Sequence, residues 1–287
     1  MKAQFDQQLV SSFYLWFENK LLDASVHAYQ TGVANSYQYI ESYDIPSTHV
    51  AYQGQYRQLA AEYDLDVPNS GIFVNGGFVS GGQAGVYTDY NNGRVIFPVA
   101  SGQALTVTSV STVKEVNTYL SNDNPEQILL ESDFFADGEL VPNFSNQPSK
   151  LDENTFFLPA CFVFPSTSEN EVLCFGGEED TQSHFRVMVL AKENFALDAI
   201  LSVFRDRARE CIPLIDFEDF PYGEFFSVKS FPYRYSDLSA TSTRSAFVEK
   251  VKASRIGGGV DQGKLDRKTF RIGFLDFDIS TYRFPRS

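Results

Sequence analysis

The stretch that comes nearest to a phosphate-binding loop is Gly258-Gly-Val-Asp-Gln-Gly263-Lys264-Leu265, which matches GxxxxGK. In that motif backbone N–H groups cradle phosphates, the lysine reaches their outer oxygens, and a following Ser or Thr holds Mg²⁺. Leu265 stands where the hydroxyl belongs, and Asp266-Arg-Lys with a strand pattern follows where a helix is needed. The stretch therefore reads as a flexible glycine loop. His27, His49 and His184 are scattered, with no HExxH and no neighbouring cysteine pair, so a zinc site lacks its ligands. No GxSxG elbow supports a serine nucleophile. Two acidic clusters remain, Glu178-Glu179-Asp180 and Asp216-Phe-Glu-Asp219. Paired carboxylates can hydrolyse glycosides or hold a cation. The first cluster follows Gly176-Gly177 and precedes Thr181-Gln, which reads as an acidic loop between strands, and neither cluster has EF-hand spacing. No catalytic residue, cofactor or metal is expected. Cys161, Cys174 and Cys211 are too few and too oddly spaced for a disulfide framework or a metal box. Cys161 and Cys174 stand at the two ends of a predicted hairpin, and all three are expected to be free thiols in a reducing compartment.

Charge constrains partners more than motifs do. The net charge is −14, which argues against a groove that grips nucleic acid but allows a surface that nucleic acid slides past. From Lys229 to Ser287 there are 12 Lys and Arg against 6 Asp and Glu, so the acidity is concentrated in the first 228 residues. The basic end is expected to pack on acidic surface, its own or that of a neighbouring copy. The segment MKAQFDQQ lacks a signal-peptide core and no apolar run has membrane-spanning length, so no membrane partner is expected. Aromatics make up 15% of residues, with 27 Phe and 15 Tyr, a composition that favours pleated sheets and contact surfaces.

The elements that would position these residues divide into two predicted domains: an antiparallel β-rich sandwich or barrel over about 1–145, and an α/β domain over about 150–287. In the first, residues 4–22 carry both helical and strand spacing, and are read as a short helix giving way to a strand near Phe13. Residues 23–66 read as long loops, with a short helix at 55–63. Ile72-Phe-Val before Asn75-Gly76, and Val86-Tyr-Thr-Asp-Tyr before Asn92-Gly93, read as hairpins. Ile128-Leu-Leu-Glu reads as a strand bridging the halves, and the Pro/Asn/Ser-rich tract at 142–150 as the boundary. In the second domain two or three strands over 155–191 lead to an amphipathic helix over 195–210. Asn194 is its N-cap and Pro213 its stop. Residues 216–268 read as a long excursion or arm, with a strand or short helix at Ala246–Ile256. Thr269 to Ile279 forms a final strand with a bulge at Gly273.

Several of these pieces resemble virion proteins of tailed bacteriophages. Gly85-Val-Tyr-Thr-Asp-Tyr-Asn-Asn-Gly-Arg-Val-Ile-Phe97 resembles a hairpin of such proteins, and Ser12-Phe-Tyr-Leu-Trp-Phe-Glu-Asn-Lys-Leu-Leu22 resembles the opening of marine-phage neck proteins. Cys174-Phe-Gly-Gly-Glu through Arg186-Val-Met-Val-Leu190, and Phe204-Arg-Asp-Arg-Ala208, are similar to their second half. The resemblance implies a non-catalytic structural protein of the virion, assembled in the host cytoplasm. It would be a neck, tail-terminator or head-closure ring joining head to tail, with DNA passing through the lumen unbound. Tail terminators usually form hexamers, so the expected partners are further copies of this chain, neighbouring neck and portal-side proteins, and tail tube or sheath proteins. Arg244, Lys250, Lys252, Arg255, Lys264, Arg267 and Lys268 are the expected assembly arm, and Glu178, Glu179 and Asp180 its acidic partner or a lumen loop. The alternative is a baseplate or fibre-type carbohydrate- or host-binding module. A carboxylate-dependent hydrolase of polysaccharide is a third reading.

Overall fold

The computed structural model describes residues 5–23, 25–41, 44–54, 58–61, 72–79, 85–99, 105–136, 155–173, 177–229, 233–256 and 270–284. The protein is mixed α/β and strand-rich, with four helices and two large curled sheets. The first sheet has seven strands: β1 (Tyr29–Ile40), β2 (His49–Gln53), β3 (Ile72–Val74), β4 (Gly77–Val79), β5 (Tyr87–Asp89), β6 (Arg94–Pro98) and β7 (Val107–Lys114). They run in the order β4-β3-β7-β1-β2-β6-β5, and every pairing is antiparallel. The hairpin expected at Asn75-Gly76 is there: both residues take positive φ, 50° and 82°, as a two-residue turn between right-twisted strands requires. The turn before Arg94 spans Tyr90–Gly93 and is braced by a buried ion pair, with Arg94 Nη2 2.7 Å from Asp89 Oδ2.

The second sheet holds β8 (Asn117–Leu120), β11 (Ala160–Val172), β12 (Glu179–Ala191), β13 (Cys211–Pro213), β14 (Ser245–Arg255) and β15 (Arg271–Arg283), in the order β13-β14-β15-β12-β11-β8. Only the β8–β11 contact is parallel. Phe185, Val187 and Val189 point to one face of this sheet, and Met188 and Leu190 to the other. Both faces are covered along this stretch, which is why the strand reads as a continuous apolar run. On the first face lie α1 (Phe5–Leu22) and α3 (Asn194–Arg205). Phe13 stacks on Phe185 at 4.3 Å and Phe17 on Phe204 at 3.9 Å, with Trp16 beside Phe277. On the other face, α2 (Pro125–Glu131) and the parallel pair β9 (Asp133–Ala136) and β10 (Thr155–Leu158) cover Phe162, Met188 and Leu190. No helix among the described residues is long and apolar enough to cross a membrane.

Several expectations are corrected. α1 is one uninterrupted helix, with no strand at Phe13; it is buried nearly all round, and so lacks the polar stripe that marks a surface helix. Residues 29–40 and 49–53 are strands, where loops were expected. Residues 58–61 are not helical, and the rest of 55–63 lies outside the described residues. Ile128 sits in α2, because Asn124 caps Glu126 N–H and Pro125 starts the helix. Asn194 is the first residue of α3; Glu193 precedes it and makes no side-chain cap bond. The helix ends at Arg205, well before Pro213, which lies in β13. Residues 216–229 and 233–244 form a strap over α1, burying Tyr222, Tyr233 and Tyr235 in its core, and residues 245–255 are a full strand of the sheet. The arm expected over 216–268 is therefore built into the fold as far as it is described. The boundary tract at 142–150 lies outside the described residues, but the layers do not divide at residue 145. The aromatic faces of α1 and the strand β8 belong to the second sheet.

Gly273 marks a close approach and no bulge, since the β12–β15 register runs through it unbroken. A Cβ there would lie 3.0 Å from Leu197 and Leu201 of α3. Gly273→Ala is expected to push α3 off the sheet and cost about 1–3 kcal/mol in urea unfolding. Where the chain leaves the first sheet for the second, Lys114 and Glu18 form an ion pair with side chains only 4% and 3% exposed. Lys114→Met leaves that carboxylate buried without its cation and is expected to cost about 3–5 kcal/mol. Combining it with Glu18→Leu is expected to recover part of the loss in the same assay.

Candidate functional site

Beyond the cover of α2, the second face of the six-stranded sheet opens to solvent and its character changes. Lys250-x-Lys252, Asp276-x-Asp278 and His184-x-Arg186 lie on three consecutive strands, β14, β15 and β12. Side chains alternate faces along a strand, so each pair shares one face. The register aligns them in two rungs, Lys250–Asp278–His184 and Lys252–Asp276–Arg186. His184 Nδ1 is 2.7 Å from Asp278 Oδ1, and Arg186 Nε donates to Asp276 Oδ1 at 2.6 Å. The Arg186 guanidinium also lies 5.7 Å from the centre of the Phe274 ring. Ser121–Pro125, Phe164, Pro165 and Thr167 wall the β12–β15 part of this surface into a groove of about 650 Å³. On the groove floor Asp276 faces the Arg186 guanidinium and Asp278 the His184 imidazole. The arrangement suits recognition of a polar or charged ligand.

No family model and no curated protein matches the chain.

Those residues of the expected assembly arm that are described are spread over the strap and β14 and do not lie on one free arm. Arg244 is tied down locally, donating to Gln8 at 2.9 Å and lying 3.4 Å from Asp216, which links the strap to α1. Lys250 and Lys252 are exposed on β14. Arg255 lies 2.6 Å from Asp198 of α3. Lys264, Arg267 and Lys268, with the whole stretch from Gly258 to Leu265, fall outside the described residues. Glu179 and Asp180 are the first residues of β12, level with Arg283 and Tyr282, so only Glu178 precedes the strand. Only β15 separates β14 from β12, and Glu179 and Asp180 stand level with Arg283 and Tyr282 while Lys250 and Lys252 stand level with Asp278 and Asp276. Cys161 is a buried free thiol, its pKa pushed up by burial, while Cys211 is exposed; Cys174 lies outside the described residues. His27 and His49 lie against aromatic rings, His27 by Tyr29 and His49 by Tyr87 and Phe225.

A second polar centre is buried between the sheets. Lys114 donates to Glu18 and lies 3.3 Å from Gln58 Oε1, and the Tyr14 hydroxyl is 2.9 Å from Glu18 Oε1. Gln58 in turn donates to the Thr118 carbonyl at 2.7 Å and accepts from Thr118 N–H at 2.8 Å. Burial first, and the Glu18 charge second, push the Tyr14 and Tyr222 phenols well above their ordinary pKa. With every member enclosed, this centre ties the layers together.

Sequence reasoning missed both groups. The signal for the rungs was available: three pairs of polar, hydrogen-bonding residues, each at period two, on strands that turn out to be neighbours. What it lacked was the pairing. Because the side chains of the groove pairs are roughly 30–55% exposed, Asp276→Asn with Asp278→Asn is expected to cost under about 1 kcal/mol per pair in thermal unfolding.

Proposed function

We propose that this chain is a structural subunit of a tailed-phage virion, one copy of a ring at the head–tail junction, as a neck or tail-terminator protein. The observation that carries this reading is a cluster of exposed apolar side chains at one end of the six-stranded sheet. Val172, Leu173, Tyr282 and Phe284 are 78%, 52%, 59% and 53% exposed. Tyr282 aligns through Asp180 with Glu171, whereas Val172 aligns with Glu179, so Val172 points to the face opposite Tyr282. Large apolar side chains left exposed together at one end of a sheet mark a contact site. In this reading the seven-stranded sheet and the six-stranded sheet with its helices are the two working modules of each subunit. The net charge of −14 repels DNA phosphates, so the ring lets DNA pass without holding it. Further copies, portal-side proteins and tail tube or sheath proteins are its partners. Electron microscopy and native mass measurement of the purified chain are expected to show closed rings, with six copies the expected number. A monomer at every concentration tested counts against the reading.

A baseplate or fibre-type carbohydrate-binding role is the second reading, favoured by the groove, whose Asp, Asn, Arg and His side chains could hydrogen-bond sugar hydroxyls. The single Trp, buried in α1, is not available to stack on a sugar. A glycan array that lights up, together with trimers by native mass, would favour it over the ring.

A further inference from the structure

The six-stranded sheet has two long margins with no backbone partner among the described residues. On one side β13 covers β14 only at Ser245–Phe247, and the turn at Arg209–Glu210 bonds Val248. Beyond that the outer edge of β14 is open to Arg255. On the other side β8 covers β11 only at Ala160–Val163, leaving Ser168–Val172 open. The two edges carry opposite charge. β14 presents Lys250 and Lys252, β11 presents Glu169 and Glu171, and all four are exposed, with no ion pair to another described residue.

We propose that copies of this chain join head to tail by strand addition, the open edge of β14 pairing with the open edge of β11 on the next copy. This rests on the ring reading and names the contact that would close it. Within one sheet β14 runs antiparallel to β11, because three antiparallel steps separate them. Repeating the sheet side by side therefore makes the new contact antiparallel. One register then sets Lys250 opposite Glu171 and Lys252 opposite Glu169. The four side chains also share a face. Glu171 and Glu169 align with Tyr282 and Ser280 on β15, and Lys250 and Lys252 align with Asp278 and Asp276, all alternate residues of that strand. Directly opposed unlike charges stabilise an antiparallel pair.

Lysine on a sheet edge commonly serves to block pairing. Here it blocks selectively. Two β14 edges would oppose lysine to lysine and two β11 edges glutamate to glutamate, so symmetric dimers are disfavoured and the heterologous contact is left. The register also closes. Glu171 stands level with Tyr282 but Lys250 with Asp278, so each copy shifts by about one residue per strand across four strands. That shear corresponds to a strand tilt of roughly 36°, within the range of closed barrels.

Charge reversal tests the contact on the full chain. Lys250→Glu with Lys252→Glu, and separately Glu169→Lys with Glu171→Lys, are expected to weaken self-association about tenfold or more by sedimentation and native mass. Circular dichroism and thermal midpoint should stay unchanged, since all four side chains are exposed. An equimolar mixture of the two variants is expected to assemble with strict alternation, and the fourfold swap on one chain to restore assembly. If the wild type forms rings and either variant rings as tightly, the strand contact is wrong and the ring reading stands. A wild type that stays monomeric overturns both.

Discussion

A lysine buried where the chain passes from one sheet to the other sets the terms for the rest of the structure. Lys114 is the last residue of β7, and β8 begins only three residues later in the second sheet. A charge removed from water at such a crossing must meet a counter-charge and fill its remaining hydrogen bonds, or the fold loses several kcal/mol. Glu18 on the N-terminal helix meets it, with Gln58 and Tyr14 completing the set. The helix is therefore fixed in position and in rotation about its axis. Its other side must then present Phe13, Trp16 and Phe17 to the second sheet and α3, where Phe185 and Phe277 of the sheet and Phe204 of the helix receive them. Segments far apart in the chain are held in one core by this arrangement.

The second sheet is used in two ways along its length. Toward β9, β10 and α2 its outer face is apolar and covered; farther along, the same face carries paired charges and stays open. The change occurs within single strands. On β12, Met188 and Leu190 lie under cover, while Arg186 and His184 face the groove. A strand that alternates this way is rigid where it is buried and presents its polar rungs from that rigid base. The proposed assembly contact belongs to the same sheet, whose central strands are long enough to extend past their short neighbours β8 and β13 at both margins.

Strands with strong local turns were legible. The Asn75-Gly76 hairpin, the strand run over 155–191 and the final strand all appear, because turn chemistry and β-branched or aromatic runs act over a few residues. α1 was misread in part, since a helix buried nearly all round loses its 3.6-residue polarity pattern and its phenylalanines then look like a strand. Residues 29–40 were hidden for the opposite reason: the strand is largely polar, with exposed side chains over much of its length. Ile128 looked like a strand residue because its apolar run is too short to reveal a period.

By itself the sequence determined the strand-rich composition, the acidic charge with its basic final fifth, and the positions of the sharpest turns. These depend on residue type and on neighbours a few places away. Tertiary structure alone decided that Glu18 faces Lys114, that Arg186 and His184 face Asp276 and Asp278, and that the basic and acidic strands border opposite sides of one sheet. Each of these depends on which strands become neighbours. That choice is made by long-range burial of apolar faces, and no local pattern encodes it.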